Sequence, residues 1–287
     1  MAASAAAAAA SGATAAASFG GVTLGAVLRD RGVRWVLAGW SIFTVENLVL
    51  SEYRTEIRRS WGGSGGHGAY QSLYSLLSAA TLGSTILAYW RFARFGVEIR
   101  SCLAPPPLRL GAFVLRGAGF FTLGQLAPPI NLGAASIALG LSAPSMDLPA
   151  DVRGAMGCPF DFNAYKDRGE VFGITRVTRR PELFGLLSVG LGATLLATTA
   201  TQVAFYGVGP TVCFSLLALH SERTQRRAGE LSAEKEGQTS LFPFWAFADG
   251  RQSFSGLLAD VDPVNAWTAV GLAGLAALRP PWLRWVR

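Results

Sequence analysis

The sequence predicts an all-α fold, a polytopic integral membrane bundle of about five to six transmembrane helices, and three observations carry that expectation. Hydrophobic residues make up 51% of the 287, and only 15% are charged. Apolar runs recur along the chain at close to the roughly 20 residues that a helix needs to cross the hydrocarbon. The basic residues cluster between or beside those runs, where the positive-inside rule and lipid headgroups account for them. The net charge of +7 therefore points to membrane lipids as partners and not to nucleic acid; only Lys166 and Lys235 accompany the arginines. Cys102, Cys158 and Cys213 form no CxxC pair and no zinc spacing. Cys213 lies in an apolar run, which predicts a small buried hydrophobe.

Residues 1–28 read as an Ala-rich low-complexity tail or a targeting segment, with the transmembrane domain over 29–287. The tail has no basic n-region and no leucine-rich core, which makes it a poor secretory signal. Its Ala/Ser bias suits an organelle transit peptide, although arginine is absent before Arg29. The first apolar run, Trp35 to about Leu50, follows Arg29, Arg31 and Arg34 and contains Glu46 and Asn47 side by side. A charge at mid-membrane costs roughly 3 kcal/mol, so Glu46 is either functional or near the helix end, reaching water or Arg54. WGGSGGHG (61–68) has no strand before it and no GK[ST] after it, and is expected to be a flexible loop.

The next span, Ala69–Trp90, carries no formal charge. Tyr70 and Tyr74 at one end, with Tyr89 and Trp90 at the other, suggest interfacial aromatic belts. A basic connector with Pro105–Pro107 leads to a third apolar region, about 110–141, which Arg116 and Pro128–Pro129 are expected to interrupt. Residues 142–172 are polar and read as an extramembrane loop.

Gly173 to Arg227 reads as a transmembrane hairpin. Arg176, Arg179 and Arg180 stand at one end and Arg223, Arg226 and Arg227 at the other, with Glu182 the only formal charge between Pro181 and His220. A polar turn near Thr198–Gln202 would put both arginine clusters on one side of the membrane. Pro181 fits a first helical turn, and Glu182 complements the positive helix end. Ser188 and Gly192 form a small-xxx-small pair for close helix approach, while Gly207, Gly209 and Pro210 are expected to bend the second helix. A hinge at 228–239 precedes an aromatic segment at 239–254, broken by Pro243 and expected to lie in the interface. The last span covers about Val264–Leu278, ending with Arg279, Trp282, Arg284, Trp285 and Arg287 at the headgroups.

Five segments in order resemble one family. GITRVTRRPELFG (173–185) resembles the GI-x-R-x-TRHP-x-x-x-G signature of the NnrU family, whose plant and cyanobacterial branch is the 15-cis-ζ-carotene isomerase. HGAYQSLYSLLS (67–78), Pro129-Ile130-Asn131-Leu132, ALHSERTQRR (218–227) and TSLFPFWAFADGRQ (239–252) are similar to further family segments, the last to the isomerase branch. The resemblance covers roughly residues 35–275. It implies a multi-helix membrane protein and, in the isomerase branch, haem b held between histidines and acting on the central double bond of a poly-cis ζ-carotene. In that family picture, reduced haem releases one axial ligand and the iron acts as a Lewis acid.

The chain departs from the pattern at the ligands. The histidine of TRHP is Arg180 here, and arginine stays protonated with no lone pair for a metal. The family's first-helix histidine aligns with Asn47 when Arg54 is the anchor, and a further one falls at Ala193. Asparagine is a poor haem ligand, and Glu46 is a hard oxygen donor. Only His67 and His220 remain. The cofactor-binding candidates are thus His220 and His67, with Asn47 and Arg180 at the positions of family histidines. Glu46, Arg54 and Arg179 are candidates for substrate or headgroup contact, although arginines such as Arg176 and Arg179 also set topology. A carotenoid-like hydrophobic ligand and a plastid or bacterial inner membrane follow from the resemblance. Two functions remain open: an isomerase of carotenoid biosynthesis with unusual haem ligands, or a haem-free binding or assembly protein on the same scaffold. The bacterial branch, associated with nitrogen-oxide metabolism, adds a third association.

Overall fold

The computed structural model describes residues 18–19, 22–61, 66–93, 95–100, 104–127 and 171–277. Among them the helices in chain order are α1 (Leu24–Arg29), α2 (Arg31–Glu52), α3 (Arg54–Ser60), α4 (Gly66–Phe92), α5 (Pro106–Leu126), α6 (Pro181–Leu195), α7 (Ala200–Ala228), α8 (Ala233–Gln238), α9 (Trp245–Ala248), α10 (Phe254–Ala259) and α11 (Pro263–Ala277). The described strands are β1 (Ser18–Phe19) and β2 (Val22–Thr23), an antiparallel ribbon with Ser18 opposite Thr23. The chain is therefore mostly helical, as expected. Among the described residues α2 and α7 are long and apolar enough to cross a membrane, and α6 is a shorter apolar helix. The chain divides into two compact units, one holding Met1–Ala112 and Gly190–Thr224, the other Phe113–Val189 and Gln225–Arg279.

In the first unit, Asp30 organises three starts. One carboxylate oxygen caps α2 by accepting from the Val33 N–H at 2.9 Å, and the other accepts from the Val97 N–H at 2.8 Å. The Thr201 hydroxyl, in the first turn of α7, donates to the same carboxylate at 3.2 Å. Side-chain caps of this type stabilise a helix start by about 1 kcal/mol. The polar turn at Thr198–Gln202 is present as a capping box, with Thr199 and Gln202 satisfying each other's backbone. The irregularity expected near Gly207 takes the form of a π-helical turn, Ala204–Val208. There the Trp40 indole N–H donates to the Phe205 carbonyl at 3.1 Å, and the indole packs against Gly209 where a Cβ has no room. Helices α2 and α4 run antiparallel: Gly39 packs on Thr85, Asn47 meets Tyr74, and the Tyr70 hydroxyl donates to the Leu50 carbonyl at 2.8 Å. Cys213 is fully buried, as expected.

The second unit is built on the later part of α5. Pro106 and Pro107 open that helix, where a missing N–H leaves nothing unpaired. It then runs unbroken through Arg116, which donates to the Ala276 carbonyl of α11 instead of interrupting the span. At the other end Gln125 and Asp262 exchange two hydrogen bonds, 2.9 and 3.0 Å, and Asn265 donates to the Gly124 carbonyl at 3.0 Å. Helices α5 and α11 are therefore antiparallel. Helix α6 begins at Pro181 as expected and also lies antiparallel to α5, with the Ser188 hydroxyl donating to the Leu115 carbonyl at 2.7 Å. Gly119 makes this approach possible, since a Cβ there would meet the Gly185 carbonyl at 2.6 Å.

Several expectations are corrected. Helix α4 begins at Gly66, so Gly66, His67 and Gly68 belong to a helix and not to the expected glycine loop. Tyr70 and Tyr74 do not form an outer belt; both hydroxyls bond inward to α2, because each finds an acceptor there. Tyr89 stacks on Phe205 at 4.2 Å, leaving Trp90 as the exposed aromatic of that end. The hinge at 228–239 contains α8, started by the Ser232 cap. The 110–141 region is helical to Leu126; its remainder past residue 127, the loop 142–170, Cys102, Cys158, residues 62–65 and the segment after residue 277 lie outside the described residues.

The Gly119 contact predicts opposite outcomes at two glycines. Gly119→Ala, overpacked against backbone, should destabilise by about 1–3 kcal/mol. Gly83→Ala, in α4 with nothing within 4 Å of the new methyl, should stabilise by about 0.5–1 kcal/mol. Thermal unfolding of the detergent-solubilised variants followed by circular dichroism checks the pair.

Candidate functional site

Polar chemistry in the first unit concentrates where α2 faces α4. Asn47 is 3% exposed; its amide nitrogen donates to the Phe43 carbonyl at 2.8 Å, and its oxygen accepts from the Tyr74 hydroxyl. Half-buried Glu46 accepts from the Ser78 hydroxyl at 3.0 Å and from the Thr81 hydroxyl at 2.7 Å. Glu46 thus reaches the neighbouring helix. Arg54 opens α3 and is half-buried, and Arg58 lies 5.9 Å from the Tyr70 ring, within cation–π range. His220 is on α7 with its Nε2 3.7 Å from a Glu52 carboxylate oxygen. That nitrogen is buried and makes no hydrogen bond. His67 is in the first turn of α4 by its backbone, and its side chain lies outside the described residues.

The second unit holds Arg179 and Arg180, in a loop that the family-like signature and the aromatic tail build together. Gly173 adopts a φ of +40°, which L side chains rarely reach, and its N–H donates to Asp260 at 2.9 Å. Arg176 bridges Asp260 and Gln252, both at 2.8 Å. The Thr178 hydroxyl donates to the Leu241 carbonyl at 2.6 Å, the Arg179 N–H to Ser240 at 2.8 Å, and the Phe244 N–H back to Val177 at 2.9 Å. The Arg180 guanidinium is mostly buried, with one nitrogen 3.9 Å from Glu182. Its Nε and Nη2 are buried without a hydrogen-bond partner. Arg251 caps α8, donating to the Thr239 carbonyl at 2.7 Å, and grips Asp249 through Nη2 at 2.6 Å. That hydrogen bond holds the Asp249 carboxyl below its ordinary range. A carboxyl lowered on folding adds stability above its unfolded pKa and loses it as the pH falls through the folded one, so the Arg251 cap persists at neutral pH.

These donors do not match the haem pocket that the resemblance implies. An axial ligand needs a free lone pair on a neutral imidazole or a comparable donor. The Asn47 amide is engaged at both ends, Arg180 is a cation, and His220 faces a carboxylate. Among the described residues no group of three or more His, Cys, Asp or Glu could hold a metal ion. Sequence reasoning missed Tyr74, Ser78 and Thr81 as partners. Their spacing, i, i+4 and i+7, places them on one helix face and was the available signal. It also missed Asp260 and Gln252, whose role depends on a fold that joins two distant segments. No protein-family model, curated protein or solved structure matches the chain.

The Asn47–Tyr74 contact is expected to couple α2 to α4. In a double-mutant cycle of Asn47→Ala and Tyr74→Phe, unfolding in mixed micelles should give an interaction energy of roughly 0.6–2 kcal/mol. Purely additive effects would show that the two side chains contribute independently.

Proposed function

We propose that the chain is an integral membrane protein on an NnrU-like scaffold, with about five to six spans, serving as a haem-free binding or assembly protein. The membrane part of this reading is supported by inverted polarity. On α2, Ile42 and Val45 are each 59% exposed whereas Thr44 and Asn47 are buried. On α4, Leu76 and Leu87 are exposed and Thr85 is buried; on α11, Trp267 and Leu275 are exposed and Asn265 is buried. Water would favour the reverse arrangement, and a hydrocarbon solvent favours this one. A plastid or bacterial inner membrane is the corresponding location, and a carotenoid-like or lipid-sized apolar molecule is the ligand class the scaffold suits.

The haem-free part rests on a single observation. Where the family presents a first-helix histidine, Asn47 has its amide nitrogen bonded to the Phe43 carbonyl within α2 and its oxygen bonded to Tyr74 of α4. Arg180 at the second such position strengthens it, since a protonated guanidinium repels a metal cation. A second reading, the 15-cis-ζ-carotene isomerase with haem b, is favoured by one feature: the His220 Nε2 is buried and makes no hydrogen bond.

Purified in detergent, the full-length protein is expected to show no Soret band. It is also expected to leave poly-cis ζ-carotene unisomerised when expressed in a host that accumulates that substrate. A Soret band abolished by His220→Ala, together with isomerisation in the host, would replace this reading with the second.

A further inference from the structure

The surface of the second unit carries a crown of aromatic side chains at 239–254. Phe242, Phe244, Trp245 and Phe254 are each more than half exposed. Phe247 stacks on Phe254 at 4.5 Å and lies 6.2 Å from Phe244, so these three rings form a contiguous patch. The backbone beneath is held by specific hydrogen bonds. Phe244 sits at φ 62°, a left-handed conformation that costs a non-glycine residue about 1–3 kcal/mol and persists only where its surroundings impose it. Here they do: Leu241, Ser240 and Phe244 are each bonded to the 177–179 segment, and Arg251 and Gln252 secure the end of α8. A rigid support that turns large rings outward is built to meet another phase or surface.

The position of the crown identifies that phase. It is bonded to the residues immediately before Pro181, the start of α6. Asp260 and Asp262 tie the segment after it to Gly173 and Gln125, beside the start of α11 at Pro263 and the end of α5 at Leu126. Three apolar helices of this unit therefore start or stop at the level of the crown, where a bilayer passes from hydrocarbon to headgroups. Aromatic side chains concentrate at that depth.

We propose that the 239–254 segment is an interfacial anchor. Phe242, Phe244, Trp245 and Phe254 insert into the headgroup–acyl boundary of a phospholipid bilayer and so fix the depth of α5, α6 and α11. The proposal rests on the membrane reading above, and its test separates the two. The full-length chain carrying Cys102→Ser and Cys158→Ser, with buried Cys213 retained, receives one further cysteine for spin labelling. The positions are Phe244, Phe254, Val270 on the exposed face of α11, and Gly237 on the exposed surface of α8 as a water reference. Labels are compared in phosphatidylcholine vesicles for accessibility to oxygen, which favours the hydrocarbon, and to a nickel chelate, which favours water. The expected order of depth is Val270→Cys deepest, Phe244→Cys and Phe254→Cys intermediate, and Gly237→Cys in water. The second anchor position keeps the test valid if Phe244→Cys does not fold. Anchor labels as chelate-accessible as Gly237→Cys, or as deep as Val270→Cys, overturn the anchor while leaving a deep Val270→Cys to support the membrane reading. A water-accessible Val270→Cys overturns the membrane reading, and the anchor with it.

Discussion

Polar atoms enclosed between helices are the constraint from which the rest of this structure follows. A helix satisfies its own backbone, but an asparagine, glutamate or tyrosine on its inward face must find a partner on another helix or remain unpaired at a cost of several kcal/mol in hydrocarbon. Glu46 with Ser78 and Thr81, Asn47 with Tyr74, and Trp40 with the Phe205 carbonyl are solutions of that kind. Each fixes register as well as contact, because a shift of one residue turns the partner about 100° around its helix. The aliphatic outer faces impose no such register. Individually these bonds contribute only about 0.6–2 kcal/mol; together they select one arrangement of α2, α4 and α7 among many with equal apolar contact. The second unit uses the same logic at its ends, where Gln125, Asp262 and Asn265 join α5 to α11.

Small residues supply the complementary half. Gly119 against Gly185, Gly39 against Thr85 and Gly209 against the Trp40 indole bring helix axes close enough for these short polar side chains to meet. The π-helical turn at Ala204–Val208 has a comparable effect, because it frees the Phe205 carbonyl from the regular ladder and offers it to Trp40. Dispersion between close-packed helices replaces the hydrophobic effect as the attractive term if lipid is the solvent.

What the sequence made legible was one-dimensional. Proline at the first turn marked the start of α6, and the Thr/Gln cluster marked the turn before α7. The azimuth of each side chain was not legible: Tyr70 and Tyr74 have the composition of an interfacial belt and the orientation of a core. Arg116 has the charge of a span breaker, yet it sits within a continuous helix and donates to the Ala276 carbonyl of α11. Motif joining was equally hidden. The signature at 173–181 and the aromatic tail at 239–252 are separated by two apolar helices, and only the fold shows that Thr178, Arg179 and Val177 are hydrogen-bonded to the tail.

That joining also decides what holds Arg180 in place. In a family-like site, a histidine at this position would be judged by what it offers a cofactor. In this chain the residue follows directly on a loop held by Ser240, Leu241 and Phe244 and precedes the first turn of an apolar helix, so its backbone is fixed whatever side chain it bears. The side chain there is a permanent cation, whereas an imidazole at the same place would be a neutral lone-pair donor. Asn47 illustrates the converse. Its amide is part of the packing between α2 and α4, so a histidine there would have to displace the Tyr74 contact before it could present a nitrogen to any ligand. The two positions are thus governed by different physics, Arg180 by charge and Asn47 by packing.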